Sequence, residues 1–373
     1  MTYPSYLRVK DFAQRVKSGF FCKTCDILVS ESRKMVKILG VEFAPLRVPL
    51  ERRIQTLCLS QWVLVFLFGG FGCLFLCIYL LFTRFYWIPL LYAVWYLLDR
   101  KTSETGGNAI SWIRYNVVWR KMGEYFPAKL HKTADLDPRK SYVFGLHPHG
   151  IMHISGFLSF ATEATGFSEL FPGLFPHLAI LHGQFQFPFY RDYLMTAGMC
   201  SVSRNSFNWM LNRPGHCACV VVGGAMEALE SKPGSLNLVL MKRKGFIKQA
   251  LIHGASLVPV FSFGENDVYE QVDNPDGSFL KRLQLFLTHR VFGFSLPIIR
   301  GRGIFNYTFG VFPHRRPLNT VVGAPIDVEK TDEPTQEQID SLHERYVRGL
   351  KEMFNSNKTK FGFSEDAKLN FIG

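Results

Sequence analysis

Up to about Gln61, apolar positions are scattered among basic ones, including Arg33, Lys34, Lys37, Arg47, Arg52 and Arg53. From 62 to 82 nearly every position is apolar, and about twenty such residues suffice to cross the hydrocarbon of a bilayer. Gly69, Gly70 and Gly72 fall inside this run, where they loosen a helix or let it pack closely on a neighbour. After Thr83-Arg84 a second apolar piece, 85–98, is short for a full span and contains Pro89. Arg100, Lys101, Arg114, Arg120 and Lys121 follow it, so both flanks are basic and belong on the cytosolic side. The pattern predicts a membrane-embedded helical hairpin over 62–98, spanning twice or dipping in and returning. Trp62, Tyr86, Trp87, Trp95 and Tyr96 sit near its ends, as interface aromatics do. The hairpin separates a basic cytosolic segment, 1–61, from a body on the cytosolic face, 99–373.

In the body, short apolar runs at 142–146, 217–222, 256–263 and 320–322 have strand length, and helical or mixed segments lie between them. That alternation predicts an α/β sheet flanked by helices. Thr335-Gln336-Glu337-Gln338 after Pro334 reads as a capping box. Apolar residues then recur at Ile339, Leu342, Tyr346, Leu350 and Met353 on one face of a final helix. There are no internal repeats or low-complexity tracts.

Composition sharpens the membrane reading. Hydrophobic residues make up 47% of the chain and aromatic ones 15%, with 35 Phe, which is heavy for a soluble enzyme. The net charge of +13 favours anionic partners: a membrane surface, a phosphate-rich substrate or nucleic acid. Nucleic acid is excluded as a partner by the absence of zinc-finger spacing, an RNA-binding sheet signature or a basic-helix array. The 8 Cys show no framework spacing and fit reduced thiols facing the cytosol. The polar start, with Arg8, Lys10 and Arg15, offers no apolar core for a cleavable signal peptide.

The run 142–146 stops at His147-Pro148-His149-Gly150. Proline fixes its own φ and biases the residue before it towards an extended conformation, so two imidazoles stand on a stiff corner at a strand end. Metal ligation needs three or four ligands and the corner supplies two; Cys22 and Cys25 are remote in sequence. General base catalysis, in which a histidine takes a proton from an alcohol attacking a carbonyl, needs only one. No metal site is expected. Farther on, Gly223-Gly224 before Ala225-Met226-Glu227 makes a strand-to-helix turn whose amides can hold an anion or simply start a helix. Arg204 either binds a phosphate or caps a helix, and Lys242-Arg243-Lys244 is either a phosphate site or a solvated run. Glu265 and Asn266 end another strand with polar groups.

Taken together these stretches resemble the type two diacylglycerol acyltransferase family, which also contains monoacylglycerol acyltransferases and wax synthases. The resemblance rests on Tyr125-Phe126-Pro127, the 144–150 corner, Gly223-Gly224-Ala225 with Glu227, and Arg243-Lys244-Gly245-Phe246. It continues through Leu257-Val258-Pro259-Val260, Phe263-Gly264-Glu265-Asn266, Gly301-Arg302-Gly303, Arg315-Arg316-Pro317, Val322-Gly323-Ala324-Pro325-Ile326 and Lys358-Thr359-Lys360-Phe361-Gly362. These stand in family order from the hairpin onward. The related glycerol-phosphate acyltransferases carry His-x-x-x-x-Asp, and here Met152 and Ile154 occupy the positions five after His147 and His149. No aspartate orients the base from there, and Glu227 is the candidate for the missing carboxylate.

The resemblance implies an acyltransferase-like mixed sheet and an endoplasmic-reticulum membrane enzyme with both termini cytosolic, with the lipid-droplet surface as a second location. The reaction implied moves a fatty acyl group from acyl-CoA to the free hydroxyl of diacylglycerol. Monoacylglycerol and long-chain alcohols remain alternative acceptors, and a non-catalytic lipid-transfer protein is the rival of another class. His147 or His149 would be the base; amides near Gly150 or Gly223-Gly224 would hold the oxyanion; Arg204, Arg243 and Lys244 would hold CoA phosphates. Pro148, Glu265 and Asn266 complete the expected substrate site. The expected partners are acyl-CoA, diacylglycerol and membrane lipid, with a homo-oligomer left open and no cofactor beyond the acyl-CoA substrate.

Overall fold

All four runs read as strands lie side by side in one sheet. The computed structural model describes residues 36–38, 40–45, 47–272, 274, 277–286 and 297–373. Seven strands form the sheet: Lys129–Lys132 (β1), Tyr142–His147 (β2), Phe175–Ile180 (β3), Cys200–Ser201 (β4), His216–Val221 (β5), Ser256–Phe263 (β6) and Asn319–Val322 (β7). They are ordered β1-β7-β6-β2-β5-β3-β4. From β6 through β4 all neighbours are parallel, while β7 is antiparallel to β6 and parallel to β1, so the sheet is mixed. The sequence reading missed β3, whose Pro176 and His177 interrupt its apolar run.

Every residue of β2 and β6 is buried, as strands covered on both faces must be. Alternate side chains of β2 serve two cores. Tyr142, Phe144 and Leu146 join Trp119, Phe157, Phe160 and Phe167 on one face; Val143 joins Phe207, Leu251, Tyr346 and Phe354 on the other. The second face is covered by helices Gly245–His253 and Gln336–Asn357. The latter has the expected capping box: Thr335 Oγ1 accepts from Gln338 N at 3.3 Å, and Gln338 Oε1 accepts from Thr335 N at 2.9 Å. Its predicted face, Ile339, Leu342, Tyr346, Leu350 and Met353, is buried.

The apolar run of 62–82 is the C-terminal part of a longer helix, Leu50–Leu81 (α1), of 32 residues. Its first turns are polar and tied to the body, with Lys121 Nζ 2.6 Å from Glu51 Oε1 and Arg315 Nη1 donating to Gln55 Oε1 at 2.6 Å. α1 is the one helix among the described residues that is long and apolar enough to cross a membrane. A turn leads into Trp87–Asp99 (α2), whose 13 residues reach about 20 Å, short of the hydrocarbon thickness. Trp62, expected at the interface, is instead buried, with its ring 5.1 Å from that of Phe157. The glycines of α1 act as a notch: a Cβ on Gly69 would stand 2.8 Å from the Tyr190 ring, and one on Gly70 3.0 Å from that of Phe187. Beyond this contact, Phe68, Phe75, Tyr79 and Phe82 are exposed, 60% or more each.

Candidate active site

β2 delivers His147 to a fully buried position. Its Nε2 lies 2.9 Å from the Tyr346 hydroxyl, which lies 3.1 Å from the Gly145 carbonyl oxygen. A carbonyl only accepts, so the hydroxyl donates to Gly145 and receives Nε2–H from His147. The ring's Nδ1 is buried with no partner among the described residues. Burial, aided by His153, pushes the imidazole down to about 3 and keeps it neutral.

His149, half-buried, has the opposite tautomer. Its Nδ1–H donates to the Gly150 carbonyl at 2.9 Å, which leaves the lone pair on Nε2. Burial pushes this ring down to about 4, against the opposing effects of the Gly150 carbonyl and Glu265. Glu227 meets His149 through the main chain rather than the ring: Oε1 accepts from His149 N and Oε2 from Val239 N, both at 2.6 Å. Burial raises the Glu227 carboxyl to about 7, while those amides and Arg243 pull the other way. Glu227 thus holds the main chain of the corner, and the partner of the His149 ring is the Gly150 carbonyl.

Position 154, where the aspartate of the related signature would fall, bears on a carboxylate from elsewhere. Glu265, buried at the end of β6, accepts from Ile154 N at 2.8 Å and Ser155 N at 2.9 Å. Its carboxyl is raised by burial. Gly150, at φ +62, lies so close that a Cβ there would stand 2.6 Å from Glu265 Cγ. A third histidine, missed in the sequence, completes the cluster: His153 Nδ1–H donates to the His149 carbonyl at 3.2 Å, and the two rings are 6.3 Å apart. Its spacing in His149-Gly150-Ile151-Met152-His153 was the available signal.

His149 lines two apolar cavities of ≈ 430 and ≈ 200 Å³. Phe66 of α1 walls both; Leu67, Gly70 and Phe71 wall the larger one and Trp62 the smaller. The apolar helix thus forms one side of the chamber in which the imidazole stands. Gly224 and Ala225 line the larger cavity, and exposed Arg243 reaches this edge, its Nη2 donating to the Gly223 carbonyl at 3.4 Å.

Other expected site residues are engaged elsewhere. Lys244 is paired with Asp340 at 2.7 Å, which makes it a tie to the last helix rather than a free phosphate ligand. Asn266 is turned away from the cavities, with Nδ2 donating to Ser235 O at 2.9 Å and Oδ1 accepting from Ser231 Oγ at 2.8 Å. Arg204 is exposed at the start of helix Arg204–Leu211, whose cap is Ser203. Pro148 is buried between the two histidines. Cys22 and Cys25 lie outside the described residues, and among the described residues no three His, Cys, Asp or Glu side chains are grouped to hold a metal.

Comparison with known proteins gives the family. The diacylglycerol acyltransferase family model matches residues 78–372. Bovine 2-acylglycerol O-acyltransferase 1 is 44% identical over 335 residues, covering 89% of this chain and 100% of the relative. Human diacylglycerol O-acyltransferase 2 is 44% identical over 326 residues, covering 87% of this chain and 84% of the relative. The crystal structure of the 1-acyl-sn-glycerophosphate acyltransferase PlsC from Thermotoga maritima aligns with 81% of this chain and 97% of its own, at 12% identity and a TM-score of 0.36. The chain belongs to the diacylglycerol acyltransferase family. It is an acyltransferase.

Proposed function

We propose that the protein transfers a fatty acyl group from acyl-CoA to the free hydroxyl of diacylglycerol, with His149 as general base. One observation carries this reading: the His149 Nε2 lone pair is left free by the Gly150 carbonyl, and the ring lines apolar cavities walled by α1. Nε2 takes the hydroxyl proton as the oxygen bonds to the thioester carbon. Collapse of the tetrahedral intermediate breaks the C–S bond, and the CoA thiolate recovers the proton from His149. Main-chain amides at Gly150 or Gly224 support the oxyanion, and Arg243, with Arg204 farther out, supports the CoA phosphates. The reaction uses no cofactor and no acyl-enzyme.

In this reading 62–98 is the membrane-embedded hairpin, 1–61 the cytosolic lead and 99–373 the catalytic body, in the endoplasmic-reticulum membrane with both termini cytosolic. α1 sets the cavities at the depth where diacylglycerol dissolves. A second acceptor, monoacylglycerol, is favoured by the full-length match to a protein named 2-acylglycerol O-acyltransferase. The test offers microsomes holding this chain each acceptor with labelled oleoyl-CoA. Labelled triacylglycerol from diacylglycerol is expected; no labelled acylglycerol from either acceptor would overturn the reading.

A further inference from the structure

Nine residues line both cavities, and only two of them are polar: His149 and Gln184. The other seven are Phe66, Ile151, Met152, Ala179, Ile180, Leu181 and Val221, all apolar. His153, Tyr190 and Tyr193 reach only the smaller cavity.

Gln184 is held firmly by its main chain and freely by its side chain. It sits in the turn His182–Gln186, with Gln184 N donating to the Leu181 carbonyl at 3.1 Å. Phe185 beside it is buried, and Phe187 just beyond packs on the Gly70 notch of α1. The Gln184 side-chain amide, half-buried, makes no hydrogen bond with the described residues. A half-buried amide with no protein partner is hydrated while the cavities hold no substrate, and is available to donate to a ligand that enters them.

Its chemistry complements that of His149. A neutral imidazole with its proton on Nδ1 offers Nε2 only as an acceptor, which suits a hydroxyl. An acylglycerol acceptor also brings ester carbonyls, which need a donor, and the Gln184 –NH₂ is the side-chain donor common to both cavities. We infer that Gln184 is a specificity-determining residue, its amide donating a hydrogen bond to an ester carbonyl of the acylglycerol while His149 takes the hydroxyl. The inference rests on the acylglycerol acyltransfer proposed above and adds to it how the glycerol ester is told from other lipids bearing a hydroxyl. Two fixed points, hydroxyl and carbonyl, also orient the glycerol unit for attack.

The test compares two acceptors of the same shape, 1,2-dioctanoylglycerol and its ether analogue 1,2-dioctylglycerol, which keeps the hydroxyl and lacks the carbonyls. The full chain in detergent is assayed with oleoyl-CoA as wild type, Gln184→Met and Gln184→Leu. The expected result is an ester-over-ether preference in kcat/KM that falls about 3- to 10-fold in both variants, chiefly through KM of the ester. Turnover of the ether should stay within about twofold of wild type, which also reports that the variants are folded. An equal loss for both acceptors places Gln184 at the thioester or in the scaffold and overturns the inference alone. An unchanged preference overturns it as well. A wild-type chain that acylates the ether and no acylglycerol overturns the proposed function and this inference with it.

Discussion

Tyr346, in the last helix, and His147, at the end of β2, are 199 residues apart in sequence and 2.9 Å apart from hydroxyl to Nε2. The same hydroxyl donates to Gly145, so one side chain anchors the strand end from the far face of the sheet. In this structure the His147 Nε2 is taken up by Tyr346, while the His149 Nε2 keeps its lone pair.

Replacing Tyr346 with Phe leaves the buried Nε2–H of His147 without an acceptor. The expected cost is about 1–3 kcal/mol of stability, seen as a lower Tm in detergent. Turnover should fall less than in a His149 variant. A Tyr346→Phe protein with the wild-type Tm would remove the brace.

The two histidines should separate by assay. His149→Ala loses about 10²–10⁴ in kcat with little change in Tm, as expected for a general base at a cavity edge. His147→Ala loses stability first, because it empties a fully buried site. The opposite pattern, a stable but inert His147→Ala and an active His149→Ala, would exchange their roles.

Glu227→Gln puts an amide donor where two main-chain N–H groups require acceptors. Stability and turnover should fall together, by about 1–3 kcal/mol in the former. Loss of turnover in a fully stable variant would instead argue for chemistry on the ring.

In the proposed mechanism the base works only when neutral, and burial has pushed His149 down to about 4, below the unperturbed value near 6.5. Initial-rate kcat/KM should therefore stay level below pH 6.5 and fall only as pH approaches about 4. An acid limb centred near 6.5 would contradict a depressed His149. Stability has its own dependence. His147 and His149 have lowered pKa values when folded, so their contribution is present above 6.5 and is lost as pH falls towards about 3–4. Tm should accordingly be lower at pH 5 than at pH 7.5.

Arg243 and Lys244 are adjacent but should behave differently. Arg243→Ala should raise KM for acyl-CoA about 10-fold and leave that for diacylglycerol nearly unchanged. Lys244→Ala, which breaks a half-exposed pair with Asp340, should leave both constants as they are. A matching rise for the two variants would return the whole cluster to CoA binding.

By itself the sequence determined the elements whose signal is local. A continuous apolar run had to avoid water, so α1 was visible from 62 to 82. The runs at 142–146, 217–222, 256–263 and 320–322 were strands because short apolar stretches between turn residues have few other solutions. The capping box at Thr335 and Gln338 was readable because both partners lie within one turn. The His147-Pro148-His149-Gly150 corner was recognisable for the same reason.

Only the tertiary structure decided what each site residue touches. Tautomers depend on partners, and Tyr346 gave His147 one tautomer while the Gly150 carbonyl gave His149 the other. Glu227 and Glu265 each carry a carboxylate to a backbone that is 78 and 111 residues away in the chain. Lys244 and Asn266 had the right chemistry for a substrate site and spend it on Asp340, Ser231 and Ser235. Gln184 carries no local signal, and it lines the same two cavities as His149 only because the turn holding it packs beside α1. Periodicity records which side chains avoid water, whereas long-range packing determines which polar atoms meet.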